Sequence, residues 1–157
     1  MSQRRKKVAF IASSGGHLEQ LLMLRPLMAR YDSCLITERT DYKAPSADQK
    51  TYHLSQVNRH EALFLPKMIG IACKSLWILL KERPDVVITT GALCVVPLCL
   101  MAKVLFGKKL VYIESFARVT SGNITGKFLY RFADRFYVQW ESMLKVYPKA
   151  LYLGGIY

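Results

Sequence analysis

The sequence predicts an α/β domain: a parallel β-sheet with helices packed on both faces. Three observations predict it. Short β-branched runs alternate with longer helical patterns along the whole chain. The runs 8–12, 86–88 and 111–113 are continuously apolar, as expected of strands buried on both sides. The chain has 157 residues and is 52% hydrophobic, which suits one domain with a real core.

Strands are expected at 7–12, 33–37, 51–54, 86–90, 109–113, 135–138 and 151–153. Helices are expected at 17–30, 61–83, 92–106 and 124–133, in each case from apolar periodicity. The polar stretch 38–50 is the best candidate for a mobile loop. No internal repeat or low-complexity tract interrupts the pattern, so residues 1–157 read as a single domain.

Charge narrows the partner class. The chain carries 23 Lys+Arg against 11 Asp+Glu, a net charge of +12, which points to a polyanion. Nucleic acid fits poorly, because the chain shows no helix-turn-helix, zinc motif or aromatic RNA-binding pattern. An anionic membrane face fits better with a mean hydropathy of +0.14. A transmembrane helix needs about 20 mostly apolar residues. The stretch 61–83 is interrupted by Lys67 and Lys74, and 86–106 by Thr89, Thr90, Gly91 and Pro97, so neither is a good span. No secretory signal opens the chain. Arg4, Arg5, Lys6 and Lys7 precede only a short apolar run. Cys34, Cys73, Cys94 and Cys99 lack a C-x-x-C spacing and lie in apolar surroundings, so they read as reduced core residues, with no metal site implied.

In an open parallel sheet, ligands bind beyond the carboxyl ends of the strands. After the first strand comes Ser13-Ser14-Gly15-Gly16-His17. Its glycines allow a sharp turn, and the following helix start favours an anion. His17 in the first helical turn is held neutral by the dipole and suits proton abstraction from a hydroxyl. A helix-capping turn with an incidental histidine fits the same residues. His53 and His60 have no comparable setting. After the fourth strand, Thr90 and Gly91 form either a second ligand-facing turn or a plain helix cap. After the fifth, Glu114 stands at the end of a buried strand, and Arg118 follows in the same loop. The two could form an internal pair, or Arg118 could hold a pyrophosphate.

The stretch 61–83 carries a further signal. A helical wheel puts Leu65, Ile69, Ala72, Leu76 and Leu79 toward the sheet. Leu63, Phe64, Lys67, Ile71, Lys74, Ile78 and Lys81 fall on the opposite face, with Trp77 at its edge. Lysines seven apart among large apolar groups fit a helix lying in a membrane interface, with a solvated lysine face or a subunit interface as the alternatives.

Ser-Ser-Gly-Gly-His-Leu-Glu (13–19), Thr-Gly-Ala (90–92), Ile-Glu-Ser-Phe-Ala-Arg-Val (113–119), Thr-Gly-Lys (125–127) and Val-Gln-Trp-Glu (138–141) follow one another in order. Together they resemble the Alg-fourteen-like family of oligosaccharide biosynthesis proteins, including its bacterial capsule and exopolysaccharide members. The likeness runs from Val8 to Gly155. The Gly-Gly-His turn and the glutamate loop also look like the acceptor half of MurG-type enzymes, with a shortened glycine run.

The resemblance implies the Rossmann-like N-terminal half of a GT-B glycosyltransferase split into two polypeptides. This half would sit peripherally on the cytoplasmic face of the plasma membrane and receive an undecaprenyl-diphosphate-linked sugar. A separate Alg-thirteen-like subunit would hold the UDP-sugar donor, and no other cofactor or metal is implied. His17 would be the general base and Glu114 a second catalytic group. Ser14, Gly15, Gly16, Thr90, Gly91 and Arg118 would contact substrate. Eukaryotic members carry an N-terminal membrane anchor that these first residues lack, which leaves the 61–83 helix to do the anchoring. A non-catalytic membrane scaffold that activates a catalytic partner fits the same fold.

Overall fold

The computed structural model describes residues 5–39 and 50–156. Seven strands form one all-parallel sheet in the order β3-β2-β1-β4-β5-β6-β7. They are β1 (Lys7–Ile11), β2 (Asp32–Glu38), β3 (Lys50–Leu54), β4 (Val86–Thr89), β5 (Lys109–Ile113), β6 (Arg135–Val138) and β7 (Leu151–Tyr152). All seven expected strands are present, within one or two residues at their ends. The expected loop 38–50 loses both its end residues to β2 and β3, and 40–49 lie outside the described residues. Strand order reverses between β1 and β4, so a crevice opens there at the carboxyl edge.

Side chains alternate across the sheet to feed two cores. Ala9 and Ile11 point to one side, where α3 (Phe64–Glu82), α4 (Val96–Leu100) and α5 (Ile124–Leu129) pack. Val8, Phe10 and Ala12 point to the other, against Leu18 and Leu21 of α1 (Gly16–Leu22) and Met28 of α2 (Arg25–Met28).

Three expected helices are shorter or broken, for local reasons. The 17–30 helix divides at Met23–Leu24, because Pro26 has no N–H to continue it and instead sits in the first turn of α2. The 92–106 helix begins as a 3-10 turn, passes into α4 behind Pro97, and ends in a π turn over Met101–Leu105. The 124–133 helix is capped by the Asn123 side chain, which accepts from the Gly126 N–H, and closes at Leu129.

α3 forms where expected but is rotated. Ile71, Ser75, Ile78, Leu79 and Glu82 face the sheet, whereas Leu65 is 70% exposed and Ile69 65%. Of the expected membrane residues, Ile71 (1% exposed) and Ile78 (0%) therefore belong to the core. Leu79 is buried as expected, while Leu65, Ile69 and Leu76 face outward. Both faces of this helix are apolar, so hydrophobicity alone does not orient it. The deciding residue is Glu82. Its carboxylate is buried and paired with Lys7 Nζ at 2.6 Å and Lys50 Nζ at 2.5 Å, and it accepts from the Tyr52 hydroxyl. Those partners stand at the start of β1 and in β3, so the end of α3 must turn its 71–75–78–82 side toward the sheet. Cys34, Cys94 and Cys99 are buried as expected, and Cys73 on this helix is exposed.

A second carboxylate ties down the same edge of the sheet. Asp134, just before β6, accepts from the Leu110 N–H at 2.8 Å and pairs with Lys103 at 2.7 Å and Lys109 at 3.4 Å.

Burial pushes the Glu82 carboxyl up, but the two lysines and the tyrosine outweigh it and bring it to about 2 from an ordinary 4.5. A carboxylate held low stabilises the fold above its unfolded value and loses that contribution as pH falls toward its folded value. Asp134, also at about 2 and from 3.8, adds to the same acid limb. Urea unfolding followed from pH 7 to 2.5 will show stability lost below pH 4.5. Glu82→Gln will flatten that limb and lower stability at pH 7 by about 1–3 kcal/mol, as expected for a buried charge-assisted network.

Candidate active site at the carboxyl edge

The loops after β1, β4 and β5 and the end of β2 converge at the switch point. Gly15 adopts φ 70°, and its carbonyl receives the N–H groups of Leu18 and Glu19 at 2.9 and 3.0 Å, which starts α1. This helix has only seven residues, so its dipole is a weak anchor for an anion.

His17 spans the crevice. Its Nδ1 lies 2.8 Å from the Thr90 carbonyl oxygen, and the Thr90 hydroxyl donates back to the His17 carbonyl at 2.8 Å. A carbonyl only accepts, so Nδ1 carries the proton and the neutral ring presents Nε2 as an acceptor. Among the described residues Nε2 has no hydrogen bond. Burial is the largest influence on the ring and holds its pKa below the ordinary 6.5. The Thr90 contact and Glu38 oppose that shift, and Arg118 reinforces it. His17 is therefore neutral at pH 7, as the sequence predicts, although desolvation rather than a helix dipole leads the effect.

The Thr90-Gly91-Ala92 turn is tight. The Thr89 hydroxyl accepts the Gly91 N–H at 3.0 Å. Gly91 has φ +95°, and a Cβ there would stand 2.4 Å from the Tyr112 hydroxyl oxygen. Ala92 sits at φ 108° and ψ 160°, a region otherwise left to glycine that costs about 1–3 kcal/mol. That strain sits two residues beyond Thr90, whose carbonyl and hydroxyl hold the histidine.

Glu114 is placed differently from the expectation. It is 0% exposed and both its oxygens are occupied. One accepts from the Ser115 N–H at 3.0 Å and from Asn123 Nδ2 at 2.9 Å, and the other from the Tyr147 hydroxyl at 2.9 Å. Burial raises its pKa, against the Ser115 and Tyr147 donors and Arg118. So enclosed a carboxylate positions the loop that follows β5. Nor does it form the alternative internal pair. Arg118 is exposed, and among the described residues it makes no ion pair. Its charge nonetheless acts on both His17 and Glu114, which places it at the same mouth.

The Arg118 loop is moored from two sides. Gln20 of α1 donates to the Ser115 hydroxyl at 3.3 Å and accepts the Phe116 N–H at 3.3 Å. Trp140 Nε1 donates to the Phe116 carbonyl at 2.7 Å, and the Ser142 hydroxyl donates to the Val119 carbonyl. Ser14 also has a partner that sequence reasoning passed over. Its N–H and hydroxyl both donate to Glu38 Oε2, at 3.3 and 3.1 Å. Glu38 ends β2 and is buried, so the strand-end argument applied to Glu114 would have found it. Gln20 carried no such signal. His53 and His60 are exposed and lie elsewhere. Among the described residues no cluster of His, Cys, Asp or Glu could hold a metal ion.

This sheet, with its crevice at the β1/β4 switch, is one Rossmann-like half of the GT-B architecture. It superposes on Acinetobacter baumannii MurG with TM-score 0.67 at 16% identity, covering 87% of this chain and 42% of that one. Against the UDP-GlcNAc 2-epimerase of Methanocaldococcus jannaschii the TM-score is 0.71 at 18% identity, covering 95% and 45%. The chain thus spans under half of either structure. It belongs to the family described as oligosaccharide biosynthesis protein Alg14 like, whose pattern matches residues 8–156. It is 27% identical to the human UDP-N-acetylglucosamine transferase subunit ALG14 over 177 aligned residues, covering 95% of this chain and 82% of the relative. A shorter stretch is 47% identical to the subunit of that name from Schizosaccharomyces pombe over 76 residues, covering 45% and 36%.

The crowding at Gly91 is directly testable. Gly91→Ala will lower the melting temperature, at a cost above about 1 kcal/mol because both its φ and its space are lost. Adding Tyr112→Phe will restore part of it. Gly16→Ala, which meets nothing within 4 Å, will leave melting nearly unchanged.

Proposed function

We propose that this chain is the acceptor-binding, peripheral membrane subunit of a two-component glycosyltransferase. The acceptor is a lipid-diphosphate-linked sugar, an undecaprenyl diphosphate of capsule or exopolysaccharide assembly. The donor is a UDP-sugar held mainly by a separate Alg-thirteen-like subunit, and the relatives' names favour UDP-N-acetylglucosamine. The observation that carries the reading is the His17–Thr90 bond across the switch point, which leaves Nε2 as a free acceptor.

In the reaction, the acceptor hydroxyl gives its proton to His17 Nε2 while its oxygen bonds to the anomeric carbon of the donor. The bond from that carbon to the UDP oxygen breaks, and UDP leaves with the electron pair. Thr90 fixes the imidazole tautomer, and Arg118 offers a bidentate partner for the acceptor diphosphate. Gly15, Gly16 and Gly91 shape the walls.

The membrane part of the reading rests on one helical layer. Outward from α3 stand Leu65, Ile69, Leu76, Trp77 and Leu80, continued by Val104 and Leu105 beyond α4 and by Ile124 and Phe128 on α5. From residue 64 to 131 there are ten Lys or Arg and three acids, and none of the three is exposed. Each basic group near an anionic leaflet is worth about 1 kcal/mol. No described helix is long and apolar enough to cross a membrane.

His17→Ala, co-expressed and co-purified with the donor subunit, will reduce sugar transfer by about 10²–10⁴-fold, measured with radiolabelled UDP-sugar. Full transfer by an assembled His17→Ala complex would instead leave a scaffold. In flotation with phosphatidylglycerol vesicles, the triple change Leu65→Glu, Ile69→Glu and Leu80→Glu will release the protein without lowering its melting temperature. Ile71→Glu will lower the melting temperature, because that side chain is in the core.

A further inference from the structure

The turn after β5 and the Trp140 that follows β6 meet in a feature that the reaction just described does not use. The Arg118 N–H donates to the Ser115 carbonyl at 2.9 Å, which puts Phe116 and Ala117 at the centre of a four-residue turn. Both backbone groups of Phe116 are tied. Its N–H donates to Gln20, three residues after His17 on α1, and its carbonyl accepts from Trp140 Nε1 at 2.7 Å. The side chain is nonetheless 43% exposed, with its ring 4.8 Å from that of Trp140 and tilted by 47°. Scattered exposed apolar side chains are ordinary, but a ring whose backbone is held on both sides is preorganised surface.

We propose that Phe116, backed by Trp140, is the surface on which the sugar ring of the acceptor stacks, with the acceptor diphosphate toward Arg118. This rests on the reading of the crevice as the site of a lipid-diphosphate-linked sugar, but not on His17 being the base. Arg118 stands two residues beyond the ring, exposed and, among the described residues, without an ion pair. An aromatic face beside a free cation suits a ligand that joins an apolar face to an anion. A glycosyl diphosphate has that form, because a pyranose ring presents C–H groups on its face and hydroxyls around its rim. The bilayer fits this surface less well. Gln20 ties Phe116 to α1, and α1 packs on the opposite side of the sheet from the α3, α4 and α5 layer. Stacking fixes the plane of the sugar and leaves its hydroxyls at the edge, whereas a diphosphate held by Arg118 alone would let the ring turn. The platform therefore bears on which hydroxyl is offered for transfer.

The test is calorimetry on the chain co-purified with its donor subunit. The probes are citronellyl-diphosphate-linked glucose and N-acetylglucosamine, which are short enough to stay soluble, and citronellyl diphosphate with no sugar. Phe116→Ala will weaken a sugar-bearing probe about three- to tenfold and leave the sugarless one unchanged. Phe116→Tyr, which keeps the ring, will bind all probes as the parent does, and Arg118→Met will weaken all of them. In transfer assays Phe116→Ala will raise the acceptor KM by the same factor and leave the KM for UDP-sugar in place. Phe116→Leu, read beside its melting temperature, repeats the comparison should the alanine variant fold poorly. Equal weakening of sugar-bearing and sugarless probes overturns the platform and leaves the turn a brace for Arg118. Loss of the donor subunit from Phe116→Ala on co-purification, or its release from phosphatidylglycerol vesicles, also overturns it, in favour of a protein or a membrane contact. Binding of no probe by the parent complex fells the acceptor reading and the platform with it. Full transfer by His17→Ala with the sugar-specific loss intact would remove the base and leave the platform standing.

Discussion

The buried carboxylate of Glu82 is the constraint on which the outer surface of the molecule depends. A charge at that depth persists only if it is paired, and its partners Lys7, Lys50 and Tyr52 lie in β1 and β3. To reach them α3 must present Ile71, Ser75, Ile78 and Glu82 inward. Everything else on that helix follows as a remainder. Leu65, Ile69, Trp77 and Leu80 are left outside because the inward quarter of the wheel is already taken. Lys74 is exposed with them, while Lys81 lies 4.4 Å from the Trp77 ring, covering part of its face.

The same division of labour runs through the sheet. At its amino edge, Glu82 and Asp134 gather lysines from β1, β3, β5 and the turn before β5, closing the strand ends with charge pairs. At its carboxyl edge the groups are kept apart. Among the described residues His17 is bonded through one nitrogen and Arg118 has no ion pair, and the strained Ala92 sits between β4 and α4. Rigidity at one edge lets the other hold unsatisfied and strained groups in place. Tyr112 and Tyr147 connect the two regimes. Tyr112 stacks on Phe136 at 4.6 Å and backs Gly91, while Tyr147 packs on Phe136 and donates to Glu114.

Strand positions were legible because runs buried on both faces leave no ambiguity of side: Val86–Thr89 and Lys109–Ile113 read as strands from composition alone. The orientation of α3 was not legible, because a helix apolar all round carries no preferred face and its deciding contacts join residues 30 or more positions apart in sequence, as with Tyr52 and Glu82. His17, Thr90 and Arg118 were found through the strand-end rule, and the structure gathers them at one crevice. Glu114 satisfied the same rule but proved enclosed. Its partners Asn123 and Tyr147 come from a helix cap and a distant turn that no local pattern links to it. Glu38 was missed because the argument was applied to three strand ends and not to the second.

One carboxylate enclosed and one at the edge of the crevice have different consequences for chemistry. Glu114, saturated by Ser115, Asn123 and Tyr147, spends its hydrogen-bonding capacity on fixing where Arg118 begins its excursion. Glu38 holds the N–H and the hydroxyl of Ser14 and so braces the turn that leads into His17. Arg118 is the group common to both, since its charge reaches Glu114 and His17 alike. An anion bound at Arg118 would cancel part of that positive field and so raise the proton affinity of His17. The imidazole would then hold a proton more readily with an anion in place than without one, a coupling carried by electrostatics alone.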